Sequence, residues 1–218
     1  MEFNILSVVT GLTARHTERV YNFFKRHDFD YIQFIPCIDN FGSEERTLAP
    51  ELYGQFLRRL FDLWYNDWRR GRRISVRYFD NLLSMMAGYP PEQCSLSGVC
   101  GISLVVEADG GVYPCDFYTL DEWRLGSVYA DSYEDMRVSP AAKVFVEASA
   151  RGRENCAGCR WFRLCRGGCQ RDREPLTGGD HAAYRFCEAT KDFLNYTAPR
   201  LWEMCAYLLR MGGVECSY

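Results

Sequence analysis

Two short β-rich runs, Phe3–Thr10 and Tyr31–Pro36, bracket a segment, Thr13–Arg26, whose apolar positions Val20, Tyr21, Phe23 and Phe24 fall on one helical face. This order predicts strand, helix, strand, the βα unit of a parallel sheet. After a polar loop at Asp39–Thr47, Pro50 opens a long amphipathic helix in which Leu52, Phe56, Leu57, Leu60, Phe61, Trp64 and Trp68 recur three and four apart, ending by Gly71. Arg73–Phe79 alternates like a strand and Asn81–Ala87 reads as a short helix. Tyr89-Pro90-Pro91 then breaks the chain, and a boundary between residues 1-91 and 92-218 is placed there.

Past Pro91 the pattern changes. Gly101–Glu107 and Gly111–Pro114 flank Ala108-Asp109-Gly110 as a β-hairpin. Ser132–Met136 and Pro140–Ala148 predict two short helices, the second with Ser139 as N-cap. Residues 149–187 lack the apolar periodicity to hold themselves together, a place where bound metal replaces a core. Thr190–Leu209 closes the chain as a helix.

Twenty-six bases against 29 acids leave a net charge of −3, which gives no electrostatic case for nucleic acid or an anionic membrane as main partner. No apolar run approaches the roughly 20 residues of a bilayer helix. Glu2 stands where a secretory signal carries basic residues, so a cytoplasmic location is expected. In a reducing compartment 11 cysteines, an odd number, are poorly explained by disulfides. Metal or cluster ligation is the better account.

Eight of those cysteines form two blocks, Cys94-x5-Cys100-x14-Cys115 and Cys156-x2-Cys159-x5-Cys165-x3-Cys169-x17-Cys187. Eight thiolates make two four-cysteine sites. Short spacers let one loop wrap an iron-sulfur cube while a distant cysteine closes it; the same intervals suit two tetrahedral zinc ions. Spacing leaves both open.

The pattern from Cys94 to Cys187, with Gly110-Gly111-Val112-Tyr113-Pro114-Cys115-Asp116 inside it, resembles the auxiliary-cluster (SPASM) domain of radical SAM peptide-modifying enzymes, and among these is most similar to anaerobic sulfatase-maturating enzymes. The resemblance implies an α/β fold within an α+β chain: the last strand-helix units of a partial (β/α)6 barrel, then a loop-rich two-cluster domain. It also implies interleaved ligation of two [4Fe-4S] auxiliary clusters, with Cys94, Cys100, Cys115 and Cys169 holding one and Cys156, Cys159, Cys165 and Cys187 the other. Asp116 matches the family's general base, which takes a proton from the target cysteine or serine of a sulfatase polypeptide while an auxiliary cluster receives the electron. A carboxylate does this near neutral pH only with a raised pKa, which burial favours; an aspartate capping its own turn is the plainer reading.

The CxxxCxxC loop that holds the S-adenosylmethionine-cleaving cluster in such enzymes does not occur in these 218 residues. Cys37, Cys205 and Cys216 are too scattered to rebuild it. S-adenosylmethionine and a third [4Fe-4S] cluster are therefore expected only together with the family's missing first half, as is an electron donor such as flavodoxin or ferredoxin. Gln33 and Ile35, at the carboxyl end of the second strand, are candidates for the adenosine side of the pocket, since barrel ligands gather at strand ends. Such a remnant of parallel sheet is expected to leave an unpaired edge and an uncovered apolar face. Arg151–Arg173 carries seven arginines against Glu154 and Asp172, charge that would raise the potential of a nearby anionic cluster. His16, His27 and His181 share no motif with another ligand. The alternative function is a cluster- or zinc-stabilised module that docks a peptide without chemistry, or a maturase of another peptide.

Overall fold

The computed structural model describes residues 3–40, 42, 47–175 and 182–212; His181 and Cys216 lie outside them. Strands β1 (Ile5–Val9), β2 (Tyr31–Pro36) and β3 (Ser75–Val76) form a parallel sheet in the order β1-β2-β3, with Ile5 opposite Ile32 and Tyr31 opposite Ser75. The segment predicted as one helix between the first two strands is two, α1 (Gly11–Arg15) and α2 (Thr17–Arg26). Local polar bonds divide it: Thr10 Oγ1 accepts the N–H of Thr13 at 3.2 Å, and the Thr17 hydroxyl turns back to the Ala14 carbonyl at 2.8 Å. At the sheet edge Leu6 and Val8 are exposed.

Helix α3 runs from Pro50 to Arg69, followed after β3 by α4 (Arg77–Met86). The strand predicted over Arg73–Phe79 is thus only two residues long. Phe79, Leu82, Leu83 and Met86, all buried, continue a helical period upstream of Asn81, and that stripe outweighs the β propensity of the run. The Ser75 hydroxyl donates to Asp80 in the first turn at 2.5 Å, tying strand to helix.

Antiparallel pairing of β4 (Val105–Val106) with β5 (Gly111–Tyr113) occurs where a hairpin is predicted, with Val105 opposite Tyr113. A third strand, β6 (Gly126–Ser127), pairs with β5 on its other side; two residues are too few to show a period. Ser132 and Ser139 cap α5 (Tyr133–Val138) and α6 (Pro140–Ala148) through the N–H groups of Asp135 and Ala142. Among the described residues of the cysteine-rich stretch are the single-turn helix α7 (Phe162–Cys165) and short 3-10 turns.

Helix α8 (Cys187–Gly212) then returns to pack along α3. Phe193, Leu201 and Met204 of α8 join Phe56, Leu60 and Phe61 of α3 and Phe79 of α4 in one buried cluster, Phe79 and Phe193 stacking at 5.7 Å. Residues on both sides of Pro91 therefore share a core, which holds the cysteine-rich loops over the carboxyl ends of β1 and β2. Among the described residues no helix is long and apolar enough to cross a membrane.

Candidate cluster-binding site

Backbone and polar anchors position the first thiols. Cys94 begins a 3-10 turn, Cys115 follows β5 after Pro114 and caps the turn Asp116–Tyr118, and Cys169 precedes the turn Gln170–Asp172. The N–H of Cys100 donates to Ser149 Oγ at 2.9 Å, and its sulfur lies 3.6 Å from Oε1 of the buried Gln170. Neither Ser149 nor Gln170 carries a sequence signal beyond Gln170 being next to a cysteine. Burial pushes the Cys100 thiol up, with the Cys94 sulfur adding to it. Burial also drives Cys115 to about 12, reinforced by Asp116 and Cys100. Cys169 is raised by burial first, then by Asp172, Cys100 and Cys94.

A separate apolar cavity is lined by Cys156, Cys159, Cys165 and Cys187, with Trp161 and Tyr184. Burial raises Cys165 to about 11, and Cys187, Cys156 and Cys159 add to the shift; Cys156 is raised by burial, then by Cys187 and Cys159. A second cavity is lined by Cys94 and by both Cys165 and Cys169. Between them Gly167 and Gly168 adopt φ +86° and +66°, and a Cβ at Gly168 would meet the Tyr184 ring at 2.4 Å, so side chains are excluded at this step.

Gln33, Ile35, Cys94, Asp116 and Cys169 line this second cavity, of about 250 Å³, between the ends of β2 and the cysteine loops. Asp116 is exposed, and its Oδ1 accepts from Cys115 Sγ at 3.2 Å. The burial expected of this carboxylate is missing, because the turn Asp116–Tyr118 points its side chain toward the open cavity and buries Tyr118 instead. Arg185 fastens the cysteine loops to the sheet: it donates to Asp172 Oδ1 and to the Cys37 carbonyl, each at 2.8 Å. Arg171 donates to the Asp39 carbonyl at 2.7 Å. Two members of the arginine-rich segment, Arg171 and Arg173, are thus interior groups, each 2% exposed. Among the described residues no three His, Cys, Asp or Glu side chains gather tightly enough to hold a single metal ion.

Residues 98–160 match the model of the SPASM iron-sulfur cluster-binding domain, a span that includes Cys100, Cys115, Cys156 and Cys159. The class is therefore that of iron-sulfur proteins. A cysteine-type anaerobic sulfatase-maturating enzyme of Clostridium perfringens is 42% identical over 92% of this chain and 55% of its own length. A serine-type enzyme of Bacteroides thetaiotaomicron is 26% identical over 91% and 52%. The solved structure of native anSMEcpe with bound AdoMet superposes with a TM-score of 0.89 at 42% identity, covering 94% of this chain and 57% of that one; native anSMEcpe with bound AdoMet and Cp18Cys peptide gives 0.88 at 42%, covering 95% and 58%. The chain belongs to the anaerobic sulfatase-maturating enzyme family of radical SAM proteins, and it spans about half the length of the curated relatives it matches.

Proposed function

We propose that this chain carries the auxiliary iron-sulfur apparatus of a sulfatase maturase, an enzyme that oxidises an active-site cysteine or serine of a sulfatase to formylglycine. The observation that carries this reading is the gathering of Cys156, Cys159, Cys165 and Cys187 around one cavity, beside a second that Cys94, Cys169 and Asp116 line. Four thiols per site fit one thiolate per iron of a cube. Cys94, Cys100, Cys115 and Cys169 would hold one [4Fe-4S] cluster, and Cys156, Cys159, Cys165 and Cys187 the second. Bound there, such clusters supply one-electron acceptors.

The remaining roles belong to the chain's own groups. Asp116 accepts the proton of the substrate thiol or hydroxyl at the mouth of the cavity. Ser149 and Gln170 hold Cys100 in register. Gln33 and Ile35 form the wall toward S-adenosylmethionine, which the neighbouring solved structures contain as AdoMet. Cleaving that cofactor takes a third cluster on a CxxxCxxC loop, assigned to polypeptide additional to these residues. A sulfatase peptide is the proposed substrate, a flavodoxin or ferredoxin the electron donor, and the cytoplasm the location.

Anaerobic purification after supply of iron and sulfide tests this. About eight irons per brown chain are expected, two clusters of four. Cys169→Ala should lower iron at both sites, through its short tie to Cys165, whereas Cys205→Ala, in the helical core, should leave iron unchanged. Colourless protein with two zinc ions, or equal iron in the two variants, would overturn the assignment.

A further inference from the structure

Arg173 is among the largest fully buried side chains of the protein. Its Nη1 donates to the carbonyls of Gly167 and Gly168 at 2.8 and 2.9 Å, and its Nη2 to the carbonyl of Ser149, while among the described residues Nε has no partner. None of these acceptors is a carboxylate. A guanidinium held in the interior by neutral dipoles alone is costly unless an anion compensates it. The anchoring points say where that anion lies. Gly167 and Gly168 form the step between Cys165 and Cys169, and the Ser149 hydroxyl holds the N–H of Cys100. Burial lowers the guanidinium's pKa, the like charge of Arg153 adds to this, and the sulfurs of Cys100 and Cys169 oppose it. On the other side the Arg173 charge favours the thiolate of Cys156.

We infer that Arg173 is a shared counter-cation of the two cluster sites, a positioning residue whose buried charge makes both bound clusters easier to reduce. The inference rests on the cluster reading above. A thiolate-ligated iron-sulfur cube is a net anion and gains further negative charge on reduction, so a fixed cation in low dielectric stabilises the reduced form more than the oxidised one. Because Arg173 touches the peptide linking the sets, it acts on both. The exposed Arg151 of the same segment is screened by water and has little such leverage.

The test uses the 218-residue chain loaded with iron and sulfide under anaerobic conditions, with redox titration followed by electron paramagnetic resonance. In Arg173→Gln both midpoint potentials should move to more negative values with iron content retained, while Arg151→Gln leaves both unchanged. If Arg173→Gln keeps its iron and one or neither potential moves, the inference is wrong. Should Arg173→Gln lose iron, Arg173→Lys decides: retention of both clusters near wild-type potential supports the charge role, and loss of iron there too reduces Arg173 to a structural anchor and overturns it. Wild-type chain that takes up no iron removes the cluster reading itself, and this inference with it.

Discussion

Cys115 and Asp116 are consecutive in the chain and bonded to one another, the thiol donating to Asp116 Oδ1 at 3.2 Å. The bond uses the proton that iron would displace. Once Cys115 is a thiolate ligand it can no longer donate, and the carboxylate is left an acceptor facing the cavity. Iron ligation at Cys115 and the proton-accepting role proposed for Asp116 would thus be linked through one hydrogen bond.

The first prediction follows for Asp116 in an assembled enzyme, such as a full-length relative with the same Cys-Asp pair. Asp116→Asn preserves size and cannot take a proton at neutral pH. Formylglycine formation should fall by about 10²- to 10⁴-fold, the usual contribution of a positioned acid-base group, while S-adenosylmethionine cleavage continues. Both products can be measured in one anaerobic assay. A normal rate of formylglycine formation with intact clusters would leave Asp116 as a turn residue.

Iron uptake by the apo chain should depend steeply on pH. Burial holds Cys165 near 11 and Cys115 near 12, with Cys100, Cys156 and Cys169 also raised. Ligation requires thiolates and so releases protons. The rate of cluster assembly should therefore rise from pH 7 to 9, which the growth of brown absorbance follows directly; a flat profile would mean the thiols are not protonated in the apo fold.

Arg185 gives a stability prediction. Its contacts with Asp172 and the Cys37 carbonyl are part-buried, and the buried Asp39 lies 3.7 Å away. Arg185→Met removes the cation facing two buried carboxylates, Asp39 and Asp172, and removing one partner of a buried pair costs up to about 3–5 kcal/mol. Urea unfolding of the apo chain should show that loss. The cysteine loops should also detach from the sheet more readily, seen as faster proteolysis within 149–187.

Asp80 yields a pH-dependent one. Burial raises its carboxyl to about 6, against the donation from Ser75 and with the Glu92 charge adding to the rise. The fold therefore favours the protonated form: its stabilisation is present below the ordinary value of 3.8 and is lost as pH rises through about 6. Asp80→Asn keeps a neutral polar group there and should stabilise the chain by about 1–2 kcal/mol at pH 7.5. Melting temperatures compared at pH 7.5 and 4 test this, the gain being smaller at pH 4.

Long periodic segments were the most legible. Pro50–Arg69 carries seven apolar residues on one stripe, and Ser139-Pro140 announces its helix by cap and ring together. Short elements were not: Ser75–Val76 and Gly126–Ser127 owe their pairing to partners far along the chain, which no local pattern encodes. The cysteine spacing pointed to two four-thiol sites. It could not reveal that Arg173 turns inward while Asp116 turns out, because both outcomes depend on which neighbours fill the space.

The Gly167-Gly168 step sets a ruler between the two proposed thiol sets. Cys165 and Cys169 are four residues apart, and four extended residues reach at most about 14 Å; the left-handed glycines make the path shorter. Whatever the two sets hold is kept at near-neighbour distance by the covalent chain itself, independent of side-chain packing. Rearrangement of the side chains around them cannot draw Cys165 and Cys169 further apart than that. The backbone thus sets an upper limit on the separation of whatever Cys165 and Cys169 bind, one short enough for direct electron exchange between them.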